Sequence, residues 1–195
     1  MSDALPWVQQ PPDAYYNFHH SYENTIAAAR PLVLWNILDF SHVNWVHRRN
    51  YSYCKVLAET QRTHFLEYGV RGFFFLGLPF SSPVLMWHEF VPPNVVRHLS
   101  RSPWGGYTKT EMILDESEVD GQLQTRMTHN YSTRLPAYLL PVKRLFAWYL
   151  NAWSRVLWDE DAAMILRRQQ VLRNGFRDHQ ADVEPFGAEG FLASS

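Results

Sequence analysis

The feature of this chain that most constrains its fold is a series of strand-like segments with no helical segment between them. Polar and apolar side chains alternate within several segments, as around Thr108, Thr110 and Met112, and this period of two is typical of strands. Turn residues such as Asp120-Gly121 separate the segments. Because no helix is available to make a parallel crossover, we expect an antiparallel sheet. The predicted strands are residues 52–67, 70–76, 83–91, 94–100, 106–115 and 121–132.

The segment after the strands, residues 137–174, has apolar residues at helical spacing and predicts the longest helix, with Gly175 as its C-cap. Before the strands we expect a short helix over residues 22–30, stopped by Pro31, and a helical or irregular segment over residues 32–48. This order predicts an α+β helix-grip fold of the START/SRPBCC type. In that fold a curved antiparallel sheet wraps a long C-terminal helix and a cavity lies between them.

Composition and charge narrow the class of protein. The 195 residues are 46% hydrophobic and 19% charged, as in a globular protein, and no Lys/Arg cluster suggests a nucleic-acid partner. The most apolar stretch, residues 138–158, contains charges that a membrane span tolerates poorly. The N-terminus does not resemble a signal peptide, and one cysteine excludes an internal disulfide, so we expect a cytoplasmic protein. The expected organisation is an N-terminal arm (1–20), one domain (21–178) and a C-terminal tail (179–195).

One short stretch carries groups suited to chemistry, with the spacing Asp39-x-x-His42-x-x-x-x-His47. On a regular helix the two histidines lie about 140° apart, so a shared metal ion requires the helix to end or distort between them. A carboxylate third ligand would complete a two-histidine, one-carboxylate site, and residues 158–161 supply candidates. The alternatives are packing or surface histidines, and acids that form a solvated helix face.

The full pattern, from Asn36 through Asp39 and His42 to His47, resembles the iron-binding motif of Rieske non-haem iron ring-hydroxylating oxygenases. Asn44 stands where related members have proline. The resemblance extends to the C-terminal helix, where residues 160–170 resemble the segment that carries the family's third ligand, with the register displaced by one residue. The catalytic domain of that family has a helix-grip fold, in agreement with the order of elements.

The resemblance implies that Fe(II) is bound by His42, His47 and Asp161, with Asp159 as the alternative third ligand. Asp39 and Asn36 would be the catalytic residues beside the ion. Asp39 would accept a hydrogen bond from a ligand ring, and Asn36 would lie near the open coordination face.

One departure from the family matters most: a Rieske 2Fe–2S cluster needs two cysteines and two histidines, and this chain has one cysteine. The resemblance therefore implies a non-haem iron oxygenase without its own cluster, which oxidises a hydrophobic cyclic or aromatic substrate. Electrons would come from the substrate or from an external ferredoxin or Rieske-type donor, and a homo-oligomer is compatible with the family. The alternatives are a helix-grip ligand-binding or cyclase-type protein without redox chemistry, and a non-catalytic oxygenase subunit.

Four other histidines fall on predicted strands. We expect each of them to be a core or surface residue rather than a metal ligand. They are His64, His88, His98 and His129.

Overall fold

A computed structural model describes residues 10–60, 62–71, 81–101 and 106–174. In these ranges seven strands form one antiparallel sheet in the order β1-β7-β6-β5-β4-β3-β2, and a long C-terminal helix follows them. The predicted helix-grip fold class is confirmed. The strands are β1 (Phe18–Ile26), β2 (Tyr51–Glu59), β3 (Thr63–Arg71), β4 (Ser81–Val91), β5 (Val95–Arg101), β6 (Tyr107–Val119) and β7 (Gln122–Thr133), and the helices are α1 (Arg30–Leu38), α2 (Val43–Val46) and α3 (Lys143–Arg173).

The N-terminal part differs from the prediction, because β1 occupies residues expected to form the end of the arm and a short helix. Phe18 to Ile26 pair antiparallel with β7 along their whole length, and this pairing overrides the local helical preference of residues 22–30. Pro31 does not stop a helix. It lies in the first turn of α1, where a missing N–H is harmless and the fixed φ favours the helix.

The predicted strand over residues 52–67 is two strands, β2 and β3, which pair antiparallel. The sequence between them has no glycine or proline to mark a turn, and the Thr60 N–H donates to the Thr63 carbonyl at 2.8 Å. Val70 and Arg71 end β3, and the rest of the predicted strand over residues 70–76 lies outside the described residues. The Asp120-Gly121 turn is confirmed, with positive φ at both residues, as a two-residue hairpin requires.

The predicted C-terminal helix begins later than expected. Residues 137–142 form a 3₁₀ segment that contains Pro141, and proline cannot donate the backbone hydrogen bond of a helix interior. Helix α3 then runs to Arg173, and the predicted cap at Gly175 lies outside the described residues. In the ranges that the structure describes, no helix is both long and apolar enough to span a membrane.

The inner face of the sheet packs against α1 and α3 through two apolar clusters. The larger cluster includes Leu34 of α1, Val96 and Met127 of the sheet, and Trp158 and Ile165 of α3. The smaller cluster lies towards β2 and β3 and consists of Phe40, Val43, Tyr51, Cys54, Leu66 and Tyr68. The segment that links α1 to β2 therefore lies directly against the core, and this places the histidines of the motif beside α3.

Candidate metal centre

Three side chains from distant parts of the sequence converge on one point. The Nε2 atoms of His42 and His47 are 3.1 Å apart, and Oδ1 of Asp161 lies 3.3 Å from the first and 3.0 Å from the second. Three atoms at these separations, each about 2.1 Å from one ion, would subtend angles of about 90–105° at it. Those angles lie between octahedral and tetrahedral values, so this donor set fits a divalent transition-metal ion.

The local fold explains how histidines five residues apart can share a site. Helix α2 is a single turn, with His42 immediately before it and His47 immediately after it. The backbone of His47 leaves the helical region, with φ −94° and ψ 38°, which turns its ring back towards His42. The condition that the helix must end for the two histidines to share an ion is met, because α2 ends at His47.

Asp161 reaches the site because it lies on the buried stripe of α3. The buried residues of this helix are Ser154, Trp158, Asp161 and Ile165, which recur at helical spacing. Asp159, the alternative ligand, falls outside that stripe and is exposed. An aspartate is rarely so buried unless it is paired, and the two histidines supply the pairing.

Two further side chains fix the orientation of the ligands. Asn36, which is fully buried on α1, donates its Nδ2–H to Oδ1 of Asp161 at 2.8 Å. Glu160 places Oε2 3.0 Å from Nδ1 of His47, which would hold a proton on Nδ1 when a metal ion takes the place of the proton on Nε2. Glu160 lay among the candidate acids of residues 158–161 but was not predicted to contact His47, because spacing along the chain does not show which acid faces a distant histidine.

Asp39 does not make the contact that we predicted for it. It ends α1, and within the described part of the chain its side chain hydrogen-bonds the N–H and Oγ of Ser41, at 3.0 and 2.5 Å. The side chain stabilises the turn into α2 rather than a ligand ring. The remaining ring nitrogen, Nδ1 of His42, is buried without a hydrogen-bond partner among the described residues.

The contacts between Asp161 and His47 shift the pKa values of both groups. Burial by itself raises the pKa of Asp161, but hydrogen bonds from His42, His47 and Asn36 and the charge of His47 lower that pKa to about 2. Burial by itself lowers the pKa of His47, but the hydrogen bonds and charges of Asp161 and Glu160 outweigh burial and raise it. The carboxylate of Asp161 is therefore ionised at neutral pH and available to a cation.

Comparisons with known proteins support the fold. No protein-family model matches the sequence, and no curated protein matches it. Among solved structures, the ZhuI aromatase/cyclase of a Streptomyces species has a TM-score of 0.60 at 16% identity, covering 77% of this chain and 94% of its own. The di-domain aromatase/cyclase StfQ of steffimycin biosynthesis has a TM-score of 0.60 at 10% identity, covering 82% of this chain and 54% of its own. A Thermus thermophilus protein has a TM-score of 0.57 at 14% identity, covering 77% and 98% of the two chains.

These neighbours correct part of the sequence-based interpretation. They are helix-grip proteins, and the two with a named activity are aromatase/cyclases rather than oxygenases. The assignment of this chain as an oxidoreductase, and specifically as a non-haem iron oxygenase, is wrong on this comparison. The expectation of an external electron donor was part of that assignment. Of what the resemblance to the Rieske family implied, these neighbours support the helix-grip fold.

Proposed function

We propose that this protein is a helix-grip enzyme with redox-neutral, cyclase-type chemistry on a hydrophobic cyclic or aromatic ligand. The same proposal assigns one divalent metal ion to His42, His47 and Asp161. The observation that carries it is the convergence of three ligand atoms, all within 4.8 Å of one another, beside the apolar interior. Fe(II), expected from the sequence, and Zn(II) both suit two imidazoles and one carboxylate.

The chain's own residues would hold the site in a fixed geometry. Glu160 restrains the His47 ring, and Asn36 restrains the Asp161 carboxylate, so neither ligand has to reorganise when an ion binds. When bound, a divalent ion supplies Lewis acidity without a change of oxidation state. The buried position of the cluster excludes bulk water, which strengthens its electrostatic effect on a ligand.

The nature of the ligand is inferred from the surroundings of the cluster. The ring of Phe40 lies between the motif and the sheet, with its centroid 4.8 Å from that of His64. Tyr51 packs edge-on against Trp153 at 5.6 Å and tilted against Tyr68 at 4.9 Å. Such aromatic surfaces suit a flat apolar ligand, and the aromatase/cyclase neighbours support the same class of substrate.

The first experiment measures metal content. The purified protein is loaded anaerobically with Fe(II) or Zn(II), dialysed, and analysed by mass spectrometry for metals beside the variants His42→Ala and Asp161→Asn. We expect about one ion per chain in the native protein and a loss of metal in both variants. Asp159→Asn is the matched control, because the same chemical change is made two residues away on the exposed face of α3. Equal metal retention in all four proteins would overturn the metal assignment.

The second experiment tests the class of reaction. Metal-loaded protein is incubated with hydrophobic aromatic and polyketo compounds, with and without O₂, and the products are identified by mass. Products that form equally without O₂, through isomerisation or loss of water, support redox-neutral chemistry. If compounds bind but are never converted, the result would support the second candidate function, that of a helix-grip ligand-binding protein. The network of Asp161, His47 and Glu160, whose side chains contact one another without an ion between them, is the observation that favours this candidate.

A further inference from the structure

A continuous row of polar side chains crosses the inner face of the sheet. Cross-strand pairing places its members opposite one another on neighbouring strands, from β3 through β4, β5, β6 and β7 to β1. We call this row the polar belt. It consists of His64, His88, His98, Thr110, Tyr131 and His20.

The polar belt faces α3. Nε2 of His20 lies 2.7 Å from Oδ1 of Asn151, and the hydroxyl of Tyr131 lies 3.0 Å from Oγ of Ser154. Asn151 and Ser154 both belong to α3. The belt also runs between the two apolar clusters, with Leu66 on one side and Val96 on the other. It is therefore a polar strip in the interior, where apolar side chains are the rule.

The central histidines of the belt have unsatisfied ring nitrogens. His88 is 1% exposed, and both its Nδ1 and Nε2 lack hydrogen-bond partners among the described residues, as does Nε2 of His98. Just beside the belt, the buried His129 also has an unpartnered Nε2. Buried polar atoms without a partner are rare in folded proteins, so the four atoms together indicate a missing polar group.

These rings are uncharged at neutral pH. Burial lowers the pKa of His98 to about 4 and, with the charge of His98, that of His129 to about 3. Burial and the charges of His98 and His64 hold the pKa of His88 well below its ordinary value. A neutral imidazole offers one donor and one acceptor. A hydroxyl group offers the same pair and is its natural partner, whereas a carboxylate would be left without a counter-charge.

We propose that His88 and His98, with His129 beside them, bind the hydroxyl groups of an uncharged, hydroxylated aromatic ligand. This inference rests on the proposed function and deepens it, because it assigns the polar atoms of the ligand. The ring centroids of His88 and His98 lie 4.4 Å apart, which is close to the separation of two oxygens in a 1,3 relation on a benzene ring. Two aromatic rings nearby would contact the face of such a ligand. The ring centroid of Phe40 lies 4.9 Å from that of His88, and the ring centroid of Trp158 lies 5.1 Å from that of His129.

The test compares probes that share one frame. 1,3-Dihydroxynaphthalene donates two hydrogen bonds, whereas 1,3-dimethoxynaphthalene donates none. Binding to the metal-loaded native protein is measured by calorimetry. We expect the diol to bind at least about tenfold more tightly, the equivalent of about one net hydrogen bond.

The variant that tests the belt is His88→Phe, with His98→Leu as a second variant. We expect the preference for the diol to fall to about twofold or less in each, since a hydrogen-bonding partner is removed. His19→Phe, on the exposed face of β1, is the matched control and should keep the preference. The stability of the ligand-free variants is measured as well. A purely structural role for His88 would lower stability and leave the preference unchanged, which would overturn the proposal.

The remaining outcomes are also decisive. Equal binding of both naphthalenes to the native protein would mean that interior water fills the belt, and the inference fails while a positive metal experiment leaves the rest of the proposed function standing. Failure of both naphthalenes to bind the native protein would contradict this inference and the proposed aromatic ligand together.

Discussion

Nδ1 of His47 lies 3.0 Å from Oε2 of Glu160, so an acid on helix α3 fixes the orientation of the His47 ring. The opposite nitrogen of that ring is directed at His42 and Asp161. A carboxylate behind a metal-binding histidine fixes the tautomer and increases its basicity. The imidazole of His47 therefore connects the segment before β2 with helix α3, which are 113 residues apart in sequence at this contact.

The first prediction follows from this contact. In Glu160→Gln the neutral amide oxygen accepts a weaker hydrogen bond from Nδ1–H of His47 than the carboxylate does. We therefore expect metal affinity to fall about 10- to 100-fold. Affinity is measured by competition with a chromogenic chelator. Asp159→Asn, an exposed neighbour, should bind metal like the native protein. An unchanged affinity in Glu160→Gln would show that the contact does not tune the site.

The second prediction concerns Asn36, which donates a hydrogen bond to Asp161 at 2.8 Å. Asn36→Leu keeps similar bulk but removes this donor, and we expect the free energy of unfolding of the metal-free protein to fall by about 1–3 kcal/mol. Urea unfolding followed by tryptophan fluorescence provides the value. The substitution should also weaken metal binding, because Asp161 loses its restraint. Native stability and native metal affinity in the variant would argue against this role.

A third prediction gives the direction of the pH dependence of stability. Burial lowers the pKa of His98 to about 4 and of His129 to about 3, whereas a histidine in the unfolded chain titrates near 6.5. Between pH 6.5 and 4 the unfolded state therefore binds more protons, and stability falls as pH falls. Each such histidine contributes at most about 1.4 kcal/mol per pH unit.

This pH dependence is measured by urea unfolding at pH 7.5 and pH 5. His129→Leu should have a smaller loss of stability between these two values than the native protein, because it has one buried histidine fewer. His19→Leu, a substitution at an exposed position, should reproduce the native loss. Equal losses in all three proteins would contradict the prediction.

The fourth prediction tests the packing that supports Asp161. Ile165 lies one turn further along the buried stripe of α3 and is fully buried, so Ile165→Ala should lower the free energy of unfolding by about 2–5 kcal/mol. Leu166→Ala on the same helix removes a side chain that is 42% exposed and should cost less than about 1 kcal/mol. Similar losses in the two variants would show that α3 does not pack on the sheet in this way.

Several strands and the long helix could be predicted from sequence because their signals are local. The alternation of polar and apolar residues lies within the strands that it predicts, and Asp120-Gly121 forms the turn that it predicts. The hairpin between β2 and β3 was missed because the sequence between the two strands has no glycine or proline to mark a turn. Strand β1 was missed because its stability comes from pairing with β7, a strand far away in the sequence.

The chemical groups of the candidate site could be identified from the sequence: two histidines at a fixed spacing and an acid within the predicted C-terminal helix. The choice between Asp161 and Asp159 required the folded structure, because it depends on which face of α3 packs against the motif. It also replaced Asp39 by Glu160 as the partner of a ligand ring. It joined His88 and His98 in one row, since the register of β4 on β5 is set by the core of the whole sheet. Contacts between distant segments are fixed by packing, and no local pattern in the sequence specifies them.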